Sequence, residues 1–104
     1  MQGTLDVLIL RALMQGPLHG YDVVAWIRAA SGGALDIEDG ALYTSLHRME
    51  ARGWLTGEWK ISPKGRRARY YRLSAEGRRQ LKLGAREWAS FSRAVGRIFT
   101  TGEA

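Results

Sequence analysis

Apolar residues recur along the start of the chain at Leu5, Leu8, Ile9, Ala12 and Leu13. This is the i, i+3, i+4, i+7, i+8 spacing of one helix face, and it predicts a helix over roughly 4–15 that Gly16-Pro17 ends. Val7, Leu10 and Met14 make a second apolar stripe on the same segment. A helix apolar on two sides must be covered on two sides, and in so short a chain a second copy is the expected cover. A second helix is expected from about His19 to Ala30, with Tyr21, Val24 and Ile27 facing inward. His19 stands at its start as a structural or capping residue, and Ser31-Gly32-Gly33 supplies the stop. A third helix begins near Glu38 or Asp39, acidic residues suited to a helix N-terminus, and runs to about Arg52 with Gly53 as its cap. Leu42, Leu46 and Met49 form its buried stripe.

The period then changes from helical to two. In Leu55–Ile61, residues Leu55, Trp59 and Ile61 share a side; in Arg67–Leu73, Tyr71 and Leu73 share one with Arg67 and Arg69. Ser62-Pro63-Lys64-Gly65-Arg66 between them is turn-rich, so the pair reads as a hairpin with a basic tip. Ser74 caps a last helix, with Glu76 in its first turn, that is expected to reach about Phe99 and leave 100–104 as a frayed tail. Three helices, a hairpin and a helix describe a mainly α fold with a small β-hairpin. We read a winged helix-turn-helix domain over 1–73 and a C-terminal dimerisation helix with its tail over 74–104.

Charge sharpens this picture. Through Trp59 the chain has four Lys/Arg against seven Asp/Glu, a balance of −3; from Lys60 onward it has twelve against three, a balance of +9. The basic excess is therefore local and begins in the hairpin, where it suits a phosphate backbone. Subtracting the buried stripe of the third helix leaves Gly40, Ala41, Thr44, His47, Arg48 and Ala51 outward, with Tyr43 beside them. Small residues at the helix start allow close approach to DNA, Thr44 suits a phosphate or a thymine methyl, and Arg48 or His47 a guanine edge or phosphate. Lys64, Gly65, Arg66, Arg67 and Arg69 form the wing contribution, guanidinium groups pairing bidentately with phosphate. In the last helix Leu81, Trp88, Phe91, Val95 and Ile98 mostly follow steps of three, four or seven, a helix-pairing stripe. With Val7, Leu10 and Met14 they are the expected dimer contacts.

The motifs Gly3-Thr4-Leu5-Asp6, Leu8-Ile9-Leu10, Gly16-Pro17-Leu18-His19-Gly20-Tyr21 and Gly40-Ala41-Leu42-Tyr43 are joined by Leu46-His47-Arg48-Met49-Glu50, Gly53-Trp54-Leu55 and Gly65-Arg66-Arg67-Ala68-Arg69-Tyr70-Tyr71-Arg72-Leu73-Ser74. Together they resemble the PadR-like transcriptional regulators over nearly the whole chain, from Gly3 to about Phe99. The resemblance implies a homodimer, usually a repressor, that binds inverted-repeat DNA through Tyr43 and its helix neighbours with the Gly65-Arg66-Arg67 wing on the backbone. Thr44 stands where many members carry proline, and the length is that of the short subfamily with one C-terminal helix. Trp88 falls where a similar multidrug-binding member carries a tryptophan that stacks on planar ligands in a pore at the dimer centre, which implies a small aromatic effector.

Other classes have little support. The two histidines, His19 and His47, are far apart on different helices, and no paired metal-ligand spacing, Gly-x-Ser-x-Gly or phosphate-cradling glycine loop occurs; we expect neither an enzyme nor a cofactor or metal. The absence of cysteine is compatible with a reducing cytoplasm, and Val7-Leu8-Ile9-Leu10 is too short for a membrane span or signal core, so a cytosolic protein is expected. The serious alternative is a winged helix used only for protein interaction, which would have no reason to keep the basic groups of the wing.

Overall fold

The computed structural model describes residues 3–101. Helix α1 (Thr4–Ala12) tightens into one 3-10 turn at Leu13–Gln15, followed by α2 (Gly20–Ala30), α3 (Asp39–Ala51), antiparallel strands β1 (Leu55–Ile61) and β2 (Arg67–Leu73), and α4 (Ala75–Thr101). Four helices with one hairpin make a winged-helix fold. The ladder runs in unbroken register from Leu55 opposite Leu73 to Ile61 opposite Arg67. Both strand boundaries coincide with those read from the two-residue period.

Local chemistry ends each element. The His19 imidazole caps α2: its Nδ1 accepts from the Asp22 N–H at 3.3 Å while Nε2 lies 3.2 Å from the Asp22 carboxylate, a pair of contacts that fits the Nε2–H tautomer. Ser74 plays the same part for α4, accepting from the Gly77 N–H at 3.0 Å and donating to the Gly53 carbonyl at 2.6 Å. One turn on, hydrogen bonds from Arg79 and Gln80 hold the Glu76 carboxyl down at about 2. At the hairpin tip the Gly65 N–H donates to the Ser62 carbonyl at 2.8 Å, closing a turn with Pro63 in its second position and Gly65 left-handed at φ +80°.

The core gathers Ile9 and Leu13 of the first helical segment, Val23 and Ile27 of α2, Leu42, Leu46 and Met49 of α3, and Leu55, Tyr71 and Leu73 of the hairpin. Tyr21, expected inward, is instead 74% exposed. The phase of α2 is set by Gly20, Val23 and Ile27, which are buried; a Cβ on Gly20 would stand 2.9 Å from the Tyr43 hydroxyl, so α2 meets α3 across that glycine. The hairpin also carries one isolated bridge that the sequence does not announce. Leu18 donates to the Tyr71 carbonyl at 3.1 Å and accepts from the Tyr71 N–H at 2.9 Å, pairing with the free edge of β2. A single residue pair has no periodicity by which sequence could announce it.

Helix α4 changes the reading of the dimer contacts. Leu10 is 1% exposed and Leu81 is buried, both inside the chain's own core, and Val7 packs on α4. The second stripe of α1 is therefore largely covered by α4 of the same chain, and Leu10 and Leu81 are not free to meet a partner; Met14 remains exposed. Two glycines permit the approach: a Cβ on Gly84 would fall 2.4 Å from Val7 Cγ2, and one on Gly77 2.0 Å from the Trp54 carbonyl oxygen. Alanine is the better helix former by roughly 1 kcal/mol, but overpacking costs roughly 1–3 kcal/mol and a backbone carbonyl cannot rotate out of the way. Gly77→Ala is thus expected to lower the Tm in thermal unfolding, against its helix propensity; a higher Tm would mean that α4 does not enter at this angle. Farther along, α4 leaves the core and exposes Trp88, Phe91, Ile98 and Phe99, with Val95 half-buried. It continues through Thr101, past the expected end at Phe99, with the Thr100 hydroxyl donating to the Gly96 carbonyl at 2.8 Å. Residues 102–104 of the expected tail lie outside the described residues.

Candidate nucleic-acid interface

Helix α3 buries Leu42, Ser45, Leu46 and Met49, so its opposite face is left to solvent: Gly40, Ala41, Thr44, His47 and Ala51 are all exposed. Tyr43 lies at the border of this face. Its hydroxyl reaches toward Gly20 and its ring sits 6.3 Å from that of His47. Burial, then the neighbouring Tyr21 and Asp39, push its pKa up, so the phenol stays protonated and able to donate. Asp36, Glu38 and Asp39 crowd the N-terminus of α3 with negative charge.

Two of the arginines read as DNA contacts are engaged inside the protein. Arg48 places one guanidinium nitrogen on both carboxylate oxygens of Asp6, a buried acid on α1, at 2.5 and 2.6 Å. Arg69 donates to both oxygens of Glu50, at 3.3 and 2.5 Å, from the middle of β2 to the last turn of α3. The Arg69 guanidinium lies over Gly57, where a Cβ would stand 2.6 Å from its Nε. Both pairs hold α3: Asp6 ties it to α1, and Arg69 ties it to the wing. Both acids fall within the motifs quoted above, but neither was given a role there. The signal was there for Asp6, an acidic residue set among the apolar positions of α1, but its partner lies 42 residues away.

The remaining wing cations are arranged differently. Among the described residues Lys64, Arg66 and Arg67 form no ion pair and are exposed, gathered at or beside the Gly65 turn. The Arg67 guanidinium lies over the Trp59 ring, 4.4 Å from its centroid. On the other face Arg72 donates to the Thr56 hydroxyl at 3.2 Å, and Lys60 sits 3.9 Å from Glu58 and over Tyr70. The exposed face of α3 and the hairpin that carries the tip cations are thus linked by the Glu50–Arg69 bridge. Trp88 and Phe91, far along α4, form a separate aromatic pair with ring centroids 6.0 Å apart.

No group of three or more potential ligand side chains is placed to hold a metal ion among the described residues, and none of their helices is long and apolar enough to cross a membrane.

Comparison with known proteins fits this geometry. A transcriptional regulator from Clostridium thermocellum superposes with a TM-score of 0.82 at 27% identity, covering 92% of this chain and 93% of that one. A PadR family transcriptional regulator from Eggerthella lenta DSM 2243 superposes at 0.76 with 33% identity, covering 94% and 83%. An uncharacterized 37.1 kDa protein in transposon TN4556 of Streptomyces fradiae is 40% identical over 94 residues; that match takes in 90% of this chain but only 25% of the relative. The sequence model described as "Transcriptional regulator PadR-like family" matches residues 9–83, from the core stripe of α1 through the wing and into α4. The chain belongs to the PadR-like family of transcriptional regulators.

Proposed function

We propose that this protein is a homodimeric repressor that recognises an inverted-repeat operator, with α3 in the major groove and the wing on the backbone. The observation that carries the reading is the placement of Lys64, Arg66 and Arg67, cations without an ion-pair partner among the described residues, at the tip of a hairpin tied to α3 by Glu50 and Arg69. In this reading Gly40 and Ala41 allow close approach, Thr44 and His47 meet base edges or phosphate, and the Tyr43 hydroxyl donates to phosphate. Arg48 and Arg69 fix the angle of α3 instead of touching bases. Residues 1–73 read DNA and 74–104 pair the subunits, through Trp88, Phe91, Val95 and Ile98 of α4 with Met14 of the first helical segment beside them. The test is fluorescence anisotropy on DNA from upstream of the protein's own gene against scrambled DNA over a salt series. Tighter binding to the upstream fragment, with log K falling steeply as log salt rises, is expected. Absence of binding to either duplex at low salt would overturn the reading.

The pairing surface has its own test. A Phe91→Asp chain should sediment as a monomer at concentrations where the parent is a dimer, since it puts a charge in the middle of an apolar seam. A dimer of unchanged stability would place the interface elsewhere. The Trp88–Phe91 pair further supports relief of repression by a small planar ligand stacked on Trp88. Planar aromatic compounds should then quench tryptophan fluorescence and lower operator affinity together; a panel that changes neither would remove the effector from this account.

A further inference from the structure

One face of the wing carries more apolar surface than its fold requires. By the strand register, Leu55, Gly57, Trp59 and Ile61 share a side with Arg67, Arg69, Tyr71 and Leu73. At the base of the hairpin this side is core, with Leu55, Tyr71 and Leu73 buried. Midway, Arg69 crosses from it to Glu50, which shows that the side is turned toward α3. Toward the tip it overhangs the core: Trp59 is 53% exposed and Ile61 67% exposed. A tryptophan and an isoleucine standing together in solvent on a two-stranded hairpin contribute little to the core and carry a solubility cost.

The cations beside them are not random. The Trp59 ring has Arg67 at 4.4 Å and Arg69 at 5.5 Å from its centroid. Arg69 is held by Glu50, whereas Arg67 has the indole as its contact and makes no ion pair among the described residues. A guanidinium stacked on a ring keeps its in-plane N–H groups free and loses little further freedom when it binds, the pre-organisation that a bidentate phosphate contact rewards. Apolar surface next to an oriented guanidinium matches the alternation of sugar and phosphate along a nucleic-acid strand.

We propose that Trp59, Ile61 and Arg67 form a shelf for the sugar-phosphate backbone of the DNA strand that passes between α3 and the wing. Trp59 and Ile61 pack on deoxyribose, and Arg67, aligned on the indole, gives its N–H edge to a phosphate. The proposal rests on the DNA-binding reading above and extends the contact surface from the tip cation Arg67 onto Trp59 and Ile61 of the inner face of the wing. It predicts sequence-independent affinity from two apolar residues.

The test uses the full chain and a short random-sequence duplex at low salt, with acrylamide quenching of tryptophan fluorescence as the direct readout and Trp59→Phe to identify the Trp59 signal. DNA binding should shield the component that Trp59→Phe lacks. Trp59→Leu should weaken binding roughly five- to tenfold with little change of salt slope, since no charge is removed. Arg67→Ala should weaken binding and lower the slope by about 0.9, and Trp59→Phe, which keeps an aromatic plate, should retain most of the affinity. Should Trp59→Leu fail to fold, the quenching comparison decides alone. Trp59 remaining as accessible to acrylamide in the complex as in the free protein would overturn the shelf while leaving DNA binding intact. A folded parent chain that binds no duplex at low salt would overturn both.

Discussion

Replacing Arg66 and Arg67 together with alanine is expected to raise Kd for every DNA sequence by roughly 10- to 100-fold and to reduce the slope of log K against log salt by nearly two. Each guanidinium that neutralises a phosphate releases about 0.9 of a condensed counterion, so the two losses are read in the slope as well as in the affinity. Neither side chain takes part in the core, and neither forms an ion pair among the described residues, so the variant should unfold at nearly the parent temperature. Discrimination between operator and scrambled DNA should be largely retained, because backbone contacts set position and not sequence. Fluorescence anisotropy over a salt series measures all three quantities on one preparation. A double variant with unchanged affinity and slope would move the phosphate contacts away from the hairpin tip.

The second large effect concerns stability. Arg48→Ala removes the partner of a buried carboxylate, Asp6, and is expected to cost about 3 kcal/mol, within the roughly 3–5 kcal/mol typical of breaking a buried pair from one side and reduced because Arg48 is itself partly exposed. The companion double substitution, Asp6→Leu with Arg48→Met, removes both charges and fills the space. It should recover most of that loss. Urea unfolding of the parent, the single variants Asp6→Leu and Arg48→Met, and the double variant gives the coupling energy directly. If Arg48→Ala leaves the midpoint in place, the pair does not hold α3 on α1. The same series bears on recognition: a double variant that is stable yet discriminates poorly between DNA sequences would show that the ion pair's orientation of α3 matters beyond its contribution to folding.

The ease of reading this chain from its sequence varied with how local the governing interaction is. Strand limits were legible because the two-residue alternation and the Ser62–Arg66 turn signals lie within the hairpin itself. The Ser74 and His19 caps were legible for the same reason, each bonding to an N–H three residues on. Tyr21 misled because a helix with apolar residues at several phases offers more than one candidate face, and the choice was made by Gly20 meeting Tyr43 on another helix. Leu10 and Leu81 misled because an apolar stripe records that it is covered but not by which chain. Arg48 and Arg69 lay on segments read correctly, yet their acidic partners are 42 and 19 residues distant, so each appeared in the sequence as a free cation.

Helix α4 carries a mechanical consequence. It is one unbroken helix of 27 residues, clamped at its start by Gly77 and Gly84 against the body of the protein and exposing Trp88 and Phe91 farther along. Such a helix is about 40 Å long, and if two chains join through the far half, the near half acts as a rigid lever on each DNA-reading head. A change of about 10° in the tilt of each lever would displace its head by roughly 3.5 Å, about one base-pair rise. Half-sites one helical turn apart tolerate little such error. In a dimer built that way, the crossing angle of two helices would set the spacing of the heads without any change in the residues of α3 or the wing.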